Sequence, residues 1–403
     1  LLSGTSKFKF GFARFEESVY EKEVELDTSE LPMIFEEEQA RSNIDDKEWT
    51  LQWQHSQPWG DSKEIQLGAF LQNKKRDSEI LESQNELELA LTSWDQYAAS
   101  PLTLAAFNSE YEAVTGGVNT LEEDRFDLFA LVKHKDDLFA WELGVRWEST
   151  DSKINDKTIG VTENNSYDFI LPSAHFRYNV SENGRISASI ARSLRRPEFD
   201  FLTPALIEKE LGDNDQLGNP ELKPESAWGM DLGYEYRLGK SGVVGINLFY
   251  RKVNDLIEIA NTGQEGSEGE GTFVLQPRNT GDGNVKGVEL DLSTPLGAFS
   301  MPNTGVFLNY SWLDSEVTDF FGTRKFNDQS DYVYNIGFIQ DLPELKAAFG
   351  VTYRKQGDAY GRIVGEEITT SYSADFEVFL EKRWEDVTLR LVGSNLLDAS
   401  KDE

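Results

Sequence analysis

The sequence predicts an all-β fold: a transmembrane, antiparallel, up-and-down β-barrel. Three observations carry that prediction. Long stretches alternate apolar and polar residues with a period of two, the signature of a strand with two unlike faces. Mean hydropathy is −0.51, and no run approaches the roughly 18 apolar residues of a membrane helix. Barrel strands satisfy both facts, because alternation hides their apolar residues. Finally, short and long polar connections alternate along the chain. An up-and-down barrel in an outer membrane has this asymmetry, with tight turns on one side and long loops on the other; a Greek-key sandwich has no reason to keep it.

The elements follow in order, about 15 strands in all. The first, 6–16, is the least regular: Phe8, Phe10 and Phe12 share a face and Phe15 does not, which predicts a bulge or a shifted register. Strands at 48–57, 63–75 and 125–134 follow. Residues 138–149 set Phe139, Trp141, Leu143, Val145 and Trp147 against Glu142, Gly144, Arg146 and Glu148. In 168–180, Ala174, Phe176, Tyr178 and Val180 oppose Ser173, His175, Arg177 and Asn179. After a strand at 185–194, the cleanest case is 226–238, SAWGMDLGYEYRL. There Trp228, Met230, Leu232, Tyr234 and Tyr236 alternate with Gly229, Asp231, Gly233, Glu235 and Arg237. Strand 243–257 carries Val244, Ile246, Leu248 and Tyr250 on one face, then Lys252. That lysine falls toward a long connection, where its ammonium can snorkel to the interface. Strands at 285–294, 304–315, 331–341, 346–357, 372–382 and 387–396 complete the set.

Short turns are expected around Gly60 and at 135–137, 181–184, 239–242, 295–303, 341–344 and 383–386. Long polar links are expected at 17–47, 81–124, 150–167, 195–225, 258–284, 316–330 and 358–371. Helical character appears only inside links, around 202–211.

Composition excludes several functions. With 39 basic and 72 acidic residues the chain carries a formal charge of −33, the wrong sign for a nucleic-acid binder. Cysteine is absent, so disulfides, cysteine zinc sites and thiol nucleophiles are excluded. The histidines, His55, His134 and His175, stand in no metal-ligand spacing, and no nucleophile elbow or phosphate loop occurs. The sequence therefore predicts neither an enzyme nor a cofactor or metal protein.

Several stretches resemble the β-barrel of TonB-dependent outer-membrane receptors. They are LPSAHFRYNVSENGRISASIARSLRRPEF at 171–199, GNPELKPESAWGMDLGYEYRL at 218–238 and VVGINLFYRKVNDLIE at 243–258. GVRWEST at 144–150, NVKGVELDL at 284–292 and VGSNLLD at 392–398 belong with them. The resemblance covers most of the chain as ordered pieces and rests on the order of the Arg-Pro, Asn-Pro-x-Leu-x-Pro-Glu-Ser and Asn-Leu-Leu-Asp elements. It implies a 22-strand barrel plugged by an N-terminal domain, of which 1–403 is a part; plug domain, early strands and closing strand are then absent from the chain. It further implies the outer membrane of a Gram-negative bacterium, lipopolysaccharide and lipid around the barrel, and ligand bound by extracellular loops. A periplasmic TonB-type partner would act through the N-terminal region. The implied function is energised uptake of a scarce nutrient, with ferric siderophore as the default and cobalamin or an oligosaccharide as alternatives. A passive outer-membrane porin, or a secreted or surface β-rich binding protein, are the rival readings. A charge at Leu232 should then block membrane assembly far more than one at Gly233.

Individual sites are weighed against ordinary roles. Asp213 and Asp215, with Asn214 and Asn219, have the oxygen chemistry of a calcium site, yet solvated turns use the same residues. GQEGSEGEG at 263–271 reads as an acidic loop tip. Arg192, Arg195 and Arg196 suit an anionic ligand or a lipopolysaccharide phosphate, or simply pairing with carboxylates. The polar strand faces, with Glu142, Arg146, Glu148, His175, Arg177, Asp231, Glu235, Arg237, Glu289, Asp291, Asp375 and Glu377, should line the lumen. Trp94, Tyr97 and Tyr360 are loop aromatics suited to stacking on a ligand. None of these is assigned a substrate contact.

Overall fold

The computed structural model describes residues 4–27, 34–88, 95, 110–207, 214–267, 271–319, 322–363 and 366–402. Fifteen strands form one antiparallel ladder in chain order. They are β1 (Thr5–Asp27), β2 (Ile34–Pro58), β3 (Lys63–Glu88), β4 (Asn119–Lys135), β5 (Phe139–Asp156), β6 (Val161–Asn179), β7 (Gly184–Arg195) and β8 (Glu225–Leu238). Then come β9 (Gly242–Glu265), β10 (Phe273–Leu296), β11 (Met301–Asp319), β12 (Tyr332–Leu342), β13 (Ala347–Gln356), β14 (Asp375–Arg383) and β15 (Thr388–Gly393). Each strand pairs with the next. Among the described residues no pairing joins β1 to β15, so the curled sheet has two open edges. The tight turns after β2, β4, β6, β8, β10, β12 and β14 share one rim, as the connection lengths predicted.

The register decides which face meets lipid. Phe139, Tyr178, Ile186, Tyr234, Ile246, Leu290, Tyr310 and Tyr334 are direct neighbours across eight consecutive strands. This row points outward, and Leu232 beside it is 51% exposed. Polar groups instead fill the inside: Asp127 is 0% and Glu148 3% exposed. A soluble protein would bury the first set and expose the second. Apolar outside and charged inside is the arrangement of a barrel in a bilayer. Lys252, opposite Trp228, stands exposed at the long-loop end of this belt.

Strands extend far past the predicted loop-side ends. β2 has 25 residues and β3 has 26, whereas about 9–11 residues cross a bilayer. Much of 17–47, 150–167 and 258–284, and of 81–124 the two ends 81–88 and 119–124, is therefore ladder rather than loop. Above the membrane both faces of a strand are wet, so alternation disappears while backbone pairing continues. Side chains there pair across strands, as Ser18 Oγ does with Asn43 at 2.8 Å and Arg14 Nε with Asp45 at 2.9 Å. β1 contains no bulge: it pairs with β2 without a break from Thr5 to Asp27, and Phe15 lies on the lumen face. Register shifts occur instead in β9–β10, at Val253/Leu256, Leu256/Ile257 and Asn261/Glu265, with Asp255 at φ 55°, and in β10–β11 at Pro295/Leu296. Of the helical character expected at 202–211, the described residues show one turn at Phe199–Leu202, and 208–211 lie outside them. A small separate sheet joins 329–330, 359–363, 366–372 and 401–402 on the loop side.

Candidate functional site

The connection between β7 and β8 does not stand away from the barrel; it folds into the lumen mouth as a strap. Its apolar residues Phe199, Phe201, Leu202 and Leu222 pack on Leu121, Ile154 and Ile257 of the inner wall. The Asn-Pro-x-Leu-x-Pro-Glu-Ser stretch then works as a clip. Pro220 and Pro224 have no N–H to satisfy. Asn219 Oδ1 accepts the Glu221 N–H at 3.0 Å, closing a local turn, while its Nδ2 donates to the Pro277 carbonyl at 2.9 Å. Asn279 of β10 accepts the Lys223 N–H at 3.0 Å and donates to the Lys223 and Asp255 carbonyls at 2.9 and 2.8 Å. Glu225, 7% exposed, accepts the Ile257 N–H at 2.6 Å just past the bulge. Each polar side chain thus serves a backbone group that the bulge and the prolines leave off the ladder.

Beneath the strap lies a charge network on β4 and β5. Arg125 donates to both oxygens of Asp127 at 2.7 Å and to Glu148 at 2.7 Å. Arg146 reaches Asp127 at 2.9 Å, and Arg196, from the strap, reaches Glu148. Burial, with Arg125 close by, draws the Arg196 guanidinium down to about 10. Two of these guanidiniums also lie over rings, Arg125 over Phe70 at 5.0 Å and Arg146 over Phe129 at 5.4 Å, which favours a cation in a partly dry site. A second tie holds the strap: Arg76 of β3 grips Asp46 at 2.7 Å and also Asp200.

Between strap and wall opens a cavity of 510 Å³, lined by Phe15, Lys74, Arg76, Glu123, Arg196 and Phe199 among others. Glu123 is 4% exposed. At the opposite, turn-side rim a cavity of 820 Å³ contains Glu142, His175, Arg177 and Asp231.

The polar-face residues read from the sequence lie on the lumen face, and most have partners there. Asp231 binds Arg251 at 2.7 Å and Ser189 at 3.0 Å; Glu235 binds Arg185 at 2.8 Å. Glu289 takes Asn247 at 3.0 Å, Asp291 takes Asn309 at 2.6 Å, and Asp375 takes Arg354 at 2.7 Å. Glu142 and His175 are direct neighbours across β5 and β6. The three arginines of 192–196 do not form one site: Arg195 lies 3.4 Å from Glu225, Arg196 is on Glu148, and Arg192 sits over Phe169 at 5.2 Å. Asp215 is engaged by Ser267, from its N–H at 2.7 Å and its Oγ at 2.8 Å, so it ties down Ser267 just past the end of β9. Among the described residues no three acidic or histidine side chains gather as a metal site, and Asp213 lies outside them. Trp94 and Tyr97 also lie outside the described residues. Tyr360 belongs to the small loop-side sheet, where its carbonyl accepts the Asp328 N–H at 2.8 Å.

Arg125, Asp127 and Glu123 were not singled out from the sequence. Their signal was present, since Arg125 and Asp127 alternate with Phe126 and Leu128 on the polar face of a recognised strand. Arg76 and Phe199 gave none, because they meet only when the strap folds inward.

Residues 35–396 match the family model described as TonB dependent receptor-like, beta-barrel. PiuA of Acinetobacter baumannii, described as a probable TonB-dependent siderophore receptor, is 24% identical over 225 residues, covering 53% of this chain and 27% of that protein. The crystal structure of the siderophore receptor PiuA superposes with a TM-score of 0.62 at 13% identity, covering 98% of this chain and 61% of that one. The ferric citrate transporter FecA, unliganded, gives 0.63 at 12% identity, with 96% and 57% covered. The copper transporter OprC gives 0.64 at 13% identity, with 98% and 59% covered. The chain thus spans well under two thirds of each of these proteins.

Proposed function

The chain belongs to the TonB-dependent receptor β-barrel family and is a β-barrel of the Gram-negative outer membrane, and from that premise we propose that it serves energised uptake of an iron–siderophore complex. The observation that carries the reading is the lumen mouth. There a strap clipped to β9 and β10 closes over a charged, aromatic-walled cavity, a place where a ligand can be held before passage. The siderophore receptor named above supports the substrate class, while the copper transporter of similar fold shows that the fold alone does not set it.

In this reading the ligand binds between the loop-side extensions and the strap. A periplasmic TonB-type protein supplies the energy through a plug domain outside these 403 residues. Further strands outside the chain complete the barrel. The two unpaired edges support that last point, because lipid cannot satisfy a row of backbone N–H and C=O groups.

The test is uptake of radioactive iron by iron-starved cells producing the full gene product, with a panel of ferric siderophores. Uptake that saturates and stops when the proton gradient is collapsed is expected. Unsaturable flux indifferent to the gradient would instead identify a passive pore and end this proposal.

A further inference from the structure

Resting on the uptake reading, we infer that the cavity between Phe15 and Phe199 is a ligand subsite for an uncharged, amide- or hydroxamate-bearing iron chelate, with Glu123 and Arg196 as its polar contacts. Three observations lead there.

First, Glu123 is almost completely buried, lines the cavity, and has no hydrogen bond or ion pair among the described residues. Buried carboxyl groups are normally partnered. One left open at a cavity wall is a place for an incoming group to bond. Arg196 offers a second open position: its Nη2 is on Glu148, but its buried Nε donates to nothing among the described residues. One wall thus presents an acceptor and a donor together, the complement of an amide or hydroxamate edge.

Second, the mouth's arginines are already engaged by carboxylates. Arg76 holds Asp46 and Asp200, Arg125 holds Asp127 and Glu148, and Arg146 holds Asp127. Lys74 stands 4.0 Å from Glu48. A multiply charged anion would have to displace one of these carboxylates. The cavity wall carries acidic and basic side chains in nearly equal number, Glu48, Glu123, Glu198 and Asp200 among the former and Lys47, Lys74 and Lys75 among the latter, so a multiply charged anion gains little net attraction there. A ferric trihydroxamate carries no net charge, since three singly charged hydroxamates balance the ferric ion. A ferric tricatecholate remains a trianion.

Third, Phe15 and Phe199 give the cavity apolar walls, and Phe199 already carries Arg76 at 5.6 Å on its ring. Such walls reward a neutral ligand with an apolar backbone.

The test measures binding of two named probes, a ferric trihydroxamate and a ferric tricatecholate, to the full-length receptor in isolated outer membranes. The trihydroxamate is expected to bind about tenfold or more tightly than the tricatecholate, and Glu123→Ala should weaken it by about tenfold, the effect of one lost hydrogen bond in a desolvated pocket. Glu123→Gln, which keeps a donor and an acceptor, should bind nearly as the parent does. A preference for the tricatecholate, or a Glu123→Ala variant that assembles and binds like the parent, overturns this inference while leaving energised uptake standing. The parent's preference needs no variant, so poor assembly of Glu123→Ala does not blunt the test. Binding of neither probe, together with no gradient-dependent iron uptake, overturns the uptake reading and the subsite with it.

Discussion

The ring of Phe129 lies directly on the α-carbon of Gly68, its cross-strand neighbour in the β3–β4 ladder: a methyl group on Gly68 would stand 2.2 Å from Phe129 Cζ. Phe249 and Gly287, direct partners in β9 and β10, repeat the relationship with a gap of 2.5 Å. In both pairs the ring edge occupies the space that a side chain on the glycine would need. Gly68→Ala should therefore destabilise the barrel by about 1–3 kcal/mol, the usual effect of overpacking. Removing the ring as well, in Gly68→Ala with Phe129→Ala, should recover part of that loss. Heat-dependent mobility of the folded barrel on gels checks both, and a Gly68→Ala barrel as heat-resistant as the parent would contradict the packing.

The outward face is tested by moving one charge by one residue. Leu232 faces lipid and Gly233 the lumen, near Ser187 Oγ, which can rotate away. Leu232→Arg should cost about 2–4 kcal/mol, as a cation near the bilayer midplane does. Gly233→Arg should assemble far better. Membrane-inserted yield of the two variants decides it; equal yields would mean the faces are assigned wrongly.

Asp127 anchors the network under the strap. Removing its charge in Asp127→Asn leaves Arg125 and Arg146 without their shared partner, and breaking a buried ion pair costs about 3–5 kcal/mol. Arg146 is 42% exposed at its side chain, so Arg146→Gln should cost clearly less. Urea unfolding of the two variants in the same detergent gives the comparison.

Clip and barrel should separate. Asn219→Ala removes the acceptor of the Glu221 N–H and the donor to Pro277, a loss of about 1–3 kcal/mol confined to the strap. Limited proteolysis should then cut within 196–224 faster, while the barrel keeps its heat-resistant mobility. Unchanged proteolysis would show that the apolar contacts of Phe199 and Leu222 hold the strap without the clip.

On the loop-side extension, hydrogen bonds from Arg14 and Lys47 hold Asp45 down to about 2. A depressed carboxylate stabilises the folded form above its ordinary value near 4 and ceases to do so as pH falls through about 2. Hydrogen exchange of β1–β2 beyond residue 14 should therefore be flat from pH 8 to about pH 5 after correction for intrinsic rates. The added protection should fade only in strong acid. In Asp45→Asn that acid-dependent loss should be missing.

The sequence by itself determined the strands that cross the membrane and the side of each that meets lipid. Trp228, Met230, Leu232, Tyr234 and Tyr236 alternate because lipid on one side and water on the other demand it, and that demand is local. It also determined the tight-turn ends, which the structure places within a few residues of those read from the pattern. Tertiary structure alone decided the rest. Beyond the bilayer both faces of β1–β3 are wet, so nothing in residue order announces that the ladder continues from Glu16 to Asp27. Only the fold brings Arg76 to Asp200, 124 positions apart, or sets Arg196 over Glu148. These contacts join wall to strap, and their energy comes from burying charges that lie far apart in sequence, for which a period of two leaves no trace.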